Sequence, residues 1–334
     1  MKKTLLLTFF LTSFCFSVKA QEGIPVYFDY LSDNYYLVYP SMAGISPGGK
    51  IRGTYRKQWF DVEDAPNLQT LSAHMRVGEK NGLGLILFND ANGYHSQGGV
   101  KLTYAYHLKL GGDIRSLNQL SFGLSGVFLQ NKLDESQFRS VTPDPLLTGG
   151  SVSAAYYNVD FGMSYNIMEF YAHAAVLNVL GRRSEIYELE DQFIDNARRY
   201  LVSIGYVFGR SEWKIEPSLL YQVTDFTQEK SIDINAKVYR DLDFGTLWGG
   251  VSYRRSFDGA QYQTNGSFGE QRLQLFTPIV GVNFNNFMVS YNYSYQTGDI
   301  RLDDGGFHQI TIGYDFGQEG RGSRYDCYCP ATNY

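Results

Sequence analysis

Cysteine is almost missing from this chain. Its 334 residues hold three, Cys15, Cys327 and Cys329, which is too few for a disulfide framework. A bridge inside the Cys327-x-Cys329 pair would be strained, so two free thiols and a bridge to another molecule stay equally open. Charge is scarce too. Asp, Glu, Lys and Arg make up 19% of the residues and the formal net charge is −5, so no general affinity for nucleic acid is expected. Beyond the first 20 residues no stretch approaches ~18 consecutive apolar residues, which excludes a spanning helix. The five histidines, His74, His95, His107, His173 and His308, form no i, i+4 pair and have no cysteine-rich setting. No metal and no cofactor is therefore expected. G-x-S-x-G and G-x-x-x-x-G-K-[ST] are absent as well. No catalytic residue is assigned. The one arrangement worth weighing is Ser72 and His74, which as i and i+2 share a strand face.

What is present is aromatic and glycine-rich. The chain has 27 Tyr, 23 Phe and 35 Gly, a mixture that suits strands and tight turns better than helices. Lys2 and Lys3, an apolar run from Leu5 to Phe16, and Val18-Lys19-Ala20 form a secretory signal peptide over residues 1–20, cut after Ala20. Cleavage removes Lys2, Lys3 and Lys19 and takes the net charge from −5 to −8. Phe14 before Cys15 fits a lipoprotein cleavage site poorly, so no lipid anchor is expected. An exported chain without an apolar helix is either soluble or an outer-membrane barrel, whose apolar signal lies in alternate positions.

Alternation decides between them. Phe287, Val289, Tyr291, Tyr293 and Tyr295 alternate with Met288, Ser290, Asn292, Ser294 and Gln296. Val100 to Leu110, Tyr200 to Gly209 and Gln309 to Phe316 behave alike. Period two over about ten residues means strands with one apolar face. About fourteen such stretches are expected, at 49–59, 67–77, 82–90, 97–110, 118–131, 152–166, 168–178, 198–209, 211–224, 229–240, 244–257, 271–284, 286–297 and 306–317. The fold expected is an all-β, antiparallel up-and-down transmembrane β-barrel over residues 49–317. Connection lengths sort by parity. Even-numbered ones are short, such as 78–81, 210–211 and 285–286, with 111–117 the longest. Odd-numbered ones are longer: 60–66, 91–96, 132–151, 179–197, 258–270 and 298–305, with 225–228 the weakest member. Barrels pair short periplasmic turns with longer outer loops, so both termini are expected in the periplasm. Pro278 falls inside an expected strand and cannot donate to the ladder, which points to a bulge or bend there. Residues 21–48 alternate poorly and are expected as a periplasmic or plug segment, and 318–334 as a periplasmic tail.

Several landmarks then follow one another in order. Gln21 opens the mature chain, with Pro40 and Gly44 after it. Tyr55-Arg56-Lys57-Gln58-Trp59 comes next, then Ala65-Pro66 with Ser72 and His74, then Gly82-Leu83-Gly84 with Asp90. This series resembles the PorP/SprF family of outer-membrane proteins of the Bacteroidetes type IX secretion system. The likeness covers the first third of the mature chain in motifs and the rest in architecture. Tyr39 stands where the family pattern has Asn before the Pro. The resemblance implies a non-enzymatic barrel of the secretion and gliding machinery, helping to secrete or anchor an adhesin-like surface protein through that protein's C-terminal domain. It also implies partners among the secretion components, including a periplasmic peptidoglycan-binding lipoprotein, and outer-membrane lipid around the wall.

Tyr55, Arg56, Gln58, Trp59, Ala65, Pro66, Ser72, His74, Gly82, Gly84 and Asp90 are expected to be structural or to contact a partner. Trp59 suits a membrane boundary. Loops 132–151, 179–197 and 258–270 are the candidate outer surfaces. The alternative reading is a porin or transporter for a small solute, since about fourteen strands leave a usable lumen. Its inner face, with Lys101, Lys109, Asp233 and Lys237, shows no single-sign ring.

Overall fold

The computed structural model describes residue 31 and residues 34–58, 65–111, 117–136, 150–181, 197–209, 212–225, 227–264, 267–297 and 306–317. The signal peptide, Trp59, residues 137–149 and 182–196 and the tail with Cys327 and Cys329 lie outside them. Fourteen strands follow in chain order: β1 (Gly49–Gln58), β2 (Asn67–Val77), β3 (Asn81–Asn92), β4 (His95–Lys109), β5 (Asn118–Asp134), β6 (Ser151–Ile167), β7 (Phe170–Leu177), β8 (Arg199–Tyr206), β9 (Trp213–Thr224), β10 (Lys230–Leu242), β11 (Gly245–Thr264), β12 (Ser267–Phe284), β13 (Phe287–Thr297) and β14 (Gly306–Phe316). Each pairs antiparallel with its neighbours, and β14 returns to β1, so the sheet is a closed all-β barrel. Among the described residues no helix is long and apolar enough to cross a membrane. Closure leaves no sheet edge within the wall, which lets strands satisfy their backbone groups in lipid.

Period two produces the two faces. On β1, Lys50, Arg52, Thr54, Arg56 and Gln58 are buried inside, while Ile51 and Tyr55 face out. On β4, Lys101, Thr103, Ala105 and His107 point in, and Leu102 is 63% exposed on the outside. Leu124, Val202, Ile234, Ile310 and Ile312 are outward in the same way. Large exposed aliphatics distributed around a closed wall are the mark of a lipid-facing surface. The inner face is mostly polar but carries an apolar subset, including Ile86, Phe88, Leu129, Leu220 and Met288.

One barrel end is built from tight turns. Met168 and Glu169 join β6 to β7, and Asn285 and Asn286 join β12 to β13. Met168 (φ 50°) and Asn285 (φ 52°) take the left-handed conformation that such turns require. At the other end the parity rule holds less well than loop counting implies. β3 and β4 extend until only Gly93 and Tyr94 separate them. The expected 258–270 loop is a ribbon instead: β11 and β12 stay paired out to Thr264 and Ser267. Gly, Gln and Ser in that stretch disguise a strand that has left the membrane and no longer needs an apolar face. Pro278 makes no bulge. It keeps register with Val251, and the ladder to β13 is only interrupted there, between Phe276–Tyr295 and Ile279–Asn292. The register shift falls between Arg255 and Gly259.

Candidate functional site

The segment before β1 lies inside the barrel. It makes two 3-10 turns, Tyr35–Leu37 and Pro40–Met42, whose only periodicity is local. Tyr39, Ser41 and Ala43 are 0% exposed. This plug crosses the lumen: Lys237 Nζ on β10 donates to the Leu31 carbonyl (3.3 Å), and Asn34 Nδ2 donates to Ser72 Oγ on β2 (2.9 Å).

The wall is cut to receive it. A Cβ on Gly82 would lie 2.0 Å from the Ala43 carbonyl oxygen. On Gly84 it would strike the Tyr36 hydroxyl at 2.3 Å, and on Gly123 the Pro40 carbonyl carbon at 2.2 Å. On Gly162 it would lie 2.9 Å from Pro40 Cδ. Glycine inside a strand marks a close backbone approach. Side chains then hold the plug backbone. The Gly44 N–H donates to His74 Nδ1 (3.0 Å). His107 Nε2 lies 3.0 Å from the Ala43 carbonyl, and only the ring can be the donor. Its Nδ1 then accepts from Ser121 Oγ (2.8 Å). Arg76 bridges the Gly44 carbonyl through Nε and the Ile45 carbonyl through Nη2 (2.6 Å). Tyr36 donates to Thr103 Oγ1 (2.8 Å), and Ser41 and Ser164 hydroxyls meet at 2.6 Å. Backbone groups buried away from water need such partners.

A second cluster fixes the other side. Tyr171 and Tyr239 donate to the two carboxylate oxygens of Glu216, each at 2.5 Å. Tyr35 Oη lies 3.0 Å from Glu216 Oε1 and 3.0 Å from Tyr171 Oη. Lys237 faces Glu216 at 3.8 Å and lies over the rings of Tyr35, Tyr239 and Trp248 at 5.4–5.9 Å. Burial, then the Glu216 charge, pushes the Tyr35 phenol well above its ordinary range, and burial does the same for Tyr36 and Tyr39. These phenols stay protonated. Three further luminal ion pairs are Lys101 with Asp160 (2.7 Å), Arg254 with Asp233, and Arg52 with Asp315 (2.6 Å).

The landmark residues divide three ways. Ser72, His74, Gly82 and Gly84 meet at the plug. Arg56 (over the Phe307 ring at 3.9 Å) and Gln58 line the lumen near the opposite rim, with Asp90 half-buried on the same face of β3. Tyr55 faces out, 45% exposed, and Ala65 and Pro66 lead into β2, where the Pro66 carbonyl accepts from the Gln58 N–H (2.9 Å). Trp59 lies outside the described residues. Of the four inner-face charges, Lys101, Asp233 and Lys237 are buried and paired, while Lys109 is exposed at a strand end. Ser72 and His74 each hold the plug. Among the described residues no three His, Cys, Asp or Glu gather as a metal would need. Sequence reading missed Arg76, Gly123, Gly162 and Glu216, and it named His107 and Lys237 without giving them a part in holding the plug. The two glycines carried the one available signal, an inward position in an otherwise regular strand.

A family model, "Type IX secretion system membrane protein PorP/SprF", matches residues 19–314. The chain belongs to the PorP/SprF family. It is thus an outer-membrane β-barrel of the type IX secretion system. Among solved structures it is similar to a FadL homologue of Pseudomonas aeruginosa (10% identity, 85% of this chain and 94% of that one, TM-score 0.49). It is also similar to Omp33 of Acinetobacter baumannii (8% identity, 82% and 100%, TM-score 0.43). Among curated proteins none matches.

Proposed function

We propose that this PorP/SprF barrel is a non-enzymatic scaffold of the secretion and gliding machinery. It helps to secrete or anchor an adhesin-like surface protein through contact with that protein's C-terminal domain. In this reading the tight-turn end and both termini face the periplasm, where they meet machinery partners such as a peptidoglycan-binding lipoprotein. The observation that carries the reading is the plug. A lumen crossed by its own chain from β10 to β2, with glycines and hydrogen bonds shaped to hold it, favours a wall-mounted support over a solute path. The paired luminal charges offer no single-sign field to select an ion.

Mild-detergent purification followed by identification of bound proteins tests this, together with planar-bilayer recordings. The expected result is recovery with secretion components or a surface protein, and little steady conductance. A barrel recovered alone, with a wide and steady pore, would favour the transporter reading instead.

A further inference from the structure

The row where lipid gives way to water can be counted on β10, β11 and β12. Leu242, Gly245 and Phe284 are register partners at the tight-turn end, and Ile232, Arg255 and Gln274 are partners further up. A tilted strand crosses in ~9–11 residues, which from the first row ends at the second. Arg254 points into the lumen at Asp233, so Arg255 points out, and it is exposed there. Lys230 is exposed above Ile232 on β10. Diagonal neighbours on adjacent strands stand about 7–8 Å apart, so the ends of these two long side chains can reach one group. Arg272, half-buried above Gln274, is the diagonal neighbour on the β12 side. Arg255 has a described strand on either side of it, so its surroundings on the wall are complete.

The protein itself does not answer these two charges. Among the described residues, neither the Arg255 guanidinium nor the Lys230 ammonium has an ionic or hydrogen-bonding partner. Cations at the opposite end of the same wall do: Lys214 pairs with Asp241 (2.6 Å), and Arg240 lies over the Trp213 ring (5.1 Å). The acids near the upper row are engaged elsewhere. The Asp258 carboxylate accepts the Lys230 N–H (2.5 Å), and Asp225 faces Arg198 (3.7 Å). β11 also carries its register shift here, with Ser256 to Asp258 standing opposite Leu273. A bulge at a barrel rim re-aims side chains, and this one leaves Phe257 exposed above Arg255. Below the row the outer face is apolar. Ile234 is 54% exposed, Phe276 is exposed beside Tyr253, and the Tyr253 hydroxyl donates to Gln274 Oε1 (3.0 Å).

We propose that Arg255 and Lys230 hold the phosphate of an outer-leaflet lipid, a phosphorylated glycolipid whose acyl chains run down over Tyr253, Phe276 and Ile234. The proposal rests on the orientation in the function proposed above, with the tight turns in the periplasm. The place of the patch chooses its occupant. The apolar floor lies within the bilayer, so acyl chains cover it. The two cations stand at the level of the headgroups, and the outer leaflet of an outer membrane is built of phosphorylated glycolipid. A guanidinium takes two phosphate oxygens in its planar fork, and an ammonium adds a point charge beside it. Cations of this kind lay their stems on apolar surface and keep their heads at the boundary. A soluble anion would make no use of the floor, and a protein partner would have to displace lipid from it.

Native mass spectrometry of the full barrel in mild detergent tests this with purified lipid A, lipid A stripped of phosphate, and inorganic phosphate. Arg255→Gln with Lys230→Gln removes both cations. Lys80→Gln with Lys132→Gln removes two exposed charges elsewhere and is the control. Both variants should stay heat-modifiable as folded barrels. The expected result is one lipid A retained by the wild type, at least tenfold weaker retention by the Arg255 and Lys230 variant, and an unchanged control. Stripping the phosphate should weaken wild-type retention as much and the variant no further. Equal weakening in both variants, retention indifferent to phosphate, or capture of inorganic phosphate alone overturns the lipid site. The leaflet is read separately. Phe257→Cys, in a chain with Cys327→Ser and Cys329→Ser, should react with an impermeant maleimide on intact cells. Reaction only after the outer membrane is opened sinks the orientation and the site with it. Reaction on intact cells without phosphate-dependent retention sinks the site while the orientation stands.

Discussion

Gly82 lies directly against Ala43, so close that a methyl on Gly82 would sit 2.0 Å from the Ala43 carbonyl oxygen. The atom it would strike is backbone, and that carbonyl is also held by His107. Neither side has slack. Gly82→Ala is expected to lower barrel stability by about 1–3 kcal/mol and to loosen the plug. Thermal unfolding in detergent reads the first, and protease access to residues 34–48 the second. Gly126, whose Cβ would meet nothing within 4 Å, is the matched control: Gly126→Ala should leave both unchanged.

Replacing His107 with Ala strands the Ala43 carbonyl and the Ser121 hydroxyl together. Leaving buried polar groups unpaired costs about 1–3 kcal/mol. Amide exchange at Ala43 to Ile45 should quicken while exchange in β11–β14 stays as in the parent. Equal acceleration everywhere would mean that His107 supports the wall and not the plug.

Glu216→Ala should be among the most damaging luminal changes. It leaves Lys237 buried without its carboxylate and removes the acceptor of Tyr171 and Tyr239. Breaking a buried pair from one side costs about 3–5 kcal/mol. Glu216→Gln with Lys237→Met should recover much of that loss, because neither partner then carries an unmatched charge. A double-mutant cycle on denaturant midpoints separates this coupling from lost packing.

Leu102 faces lipid and Lys101 faces the lumen. Leu102→Arg should destabilise the barrel by about 2–4 kcal/mol in vesicles, measured by unfolding from the bilayer. Leu102→Phe should be nearly neutral. A small effect of the arginine would place this row at the water boundary.

The wall was legible because each strand is half lipid-facing and half luminal, which writes period two into residues such as Leu102 and Thr103. Where that constraint stops, so does the signal. Beyond the membrane the β11–β12 ribbon needs no apolar face, and its Gly and Gln read as a loop. The Gly93-Tyr94 turn was hidden for the same reason. The plug has neither helical nor strand period, since its two 3-10 turns are shaped by the cavity that surrounds them. Ser72, His74, Gly82 and Gly84 could be picked out in order, but their common purpose could not. The residues they share it with, from Tyr36 to Gly44, are brought to them only by closure of the barrel.

The plug also bears on how the molecule comes together. Its hydrogen-bond partners described above run from Ser72 on β2 to Lys237 on β10, while the seam that shuts the ring joins β1 to β14 through pairs such as Arg52–Gly313. The hydrogen bonds named for the described part of the plug therefore need only β2 to β10, and can form on an unfinished sheet before the last four strands arrive. The chain can fold its own beginning into the cradle first, and the final strand then closes the wall around a guest already in place.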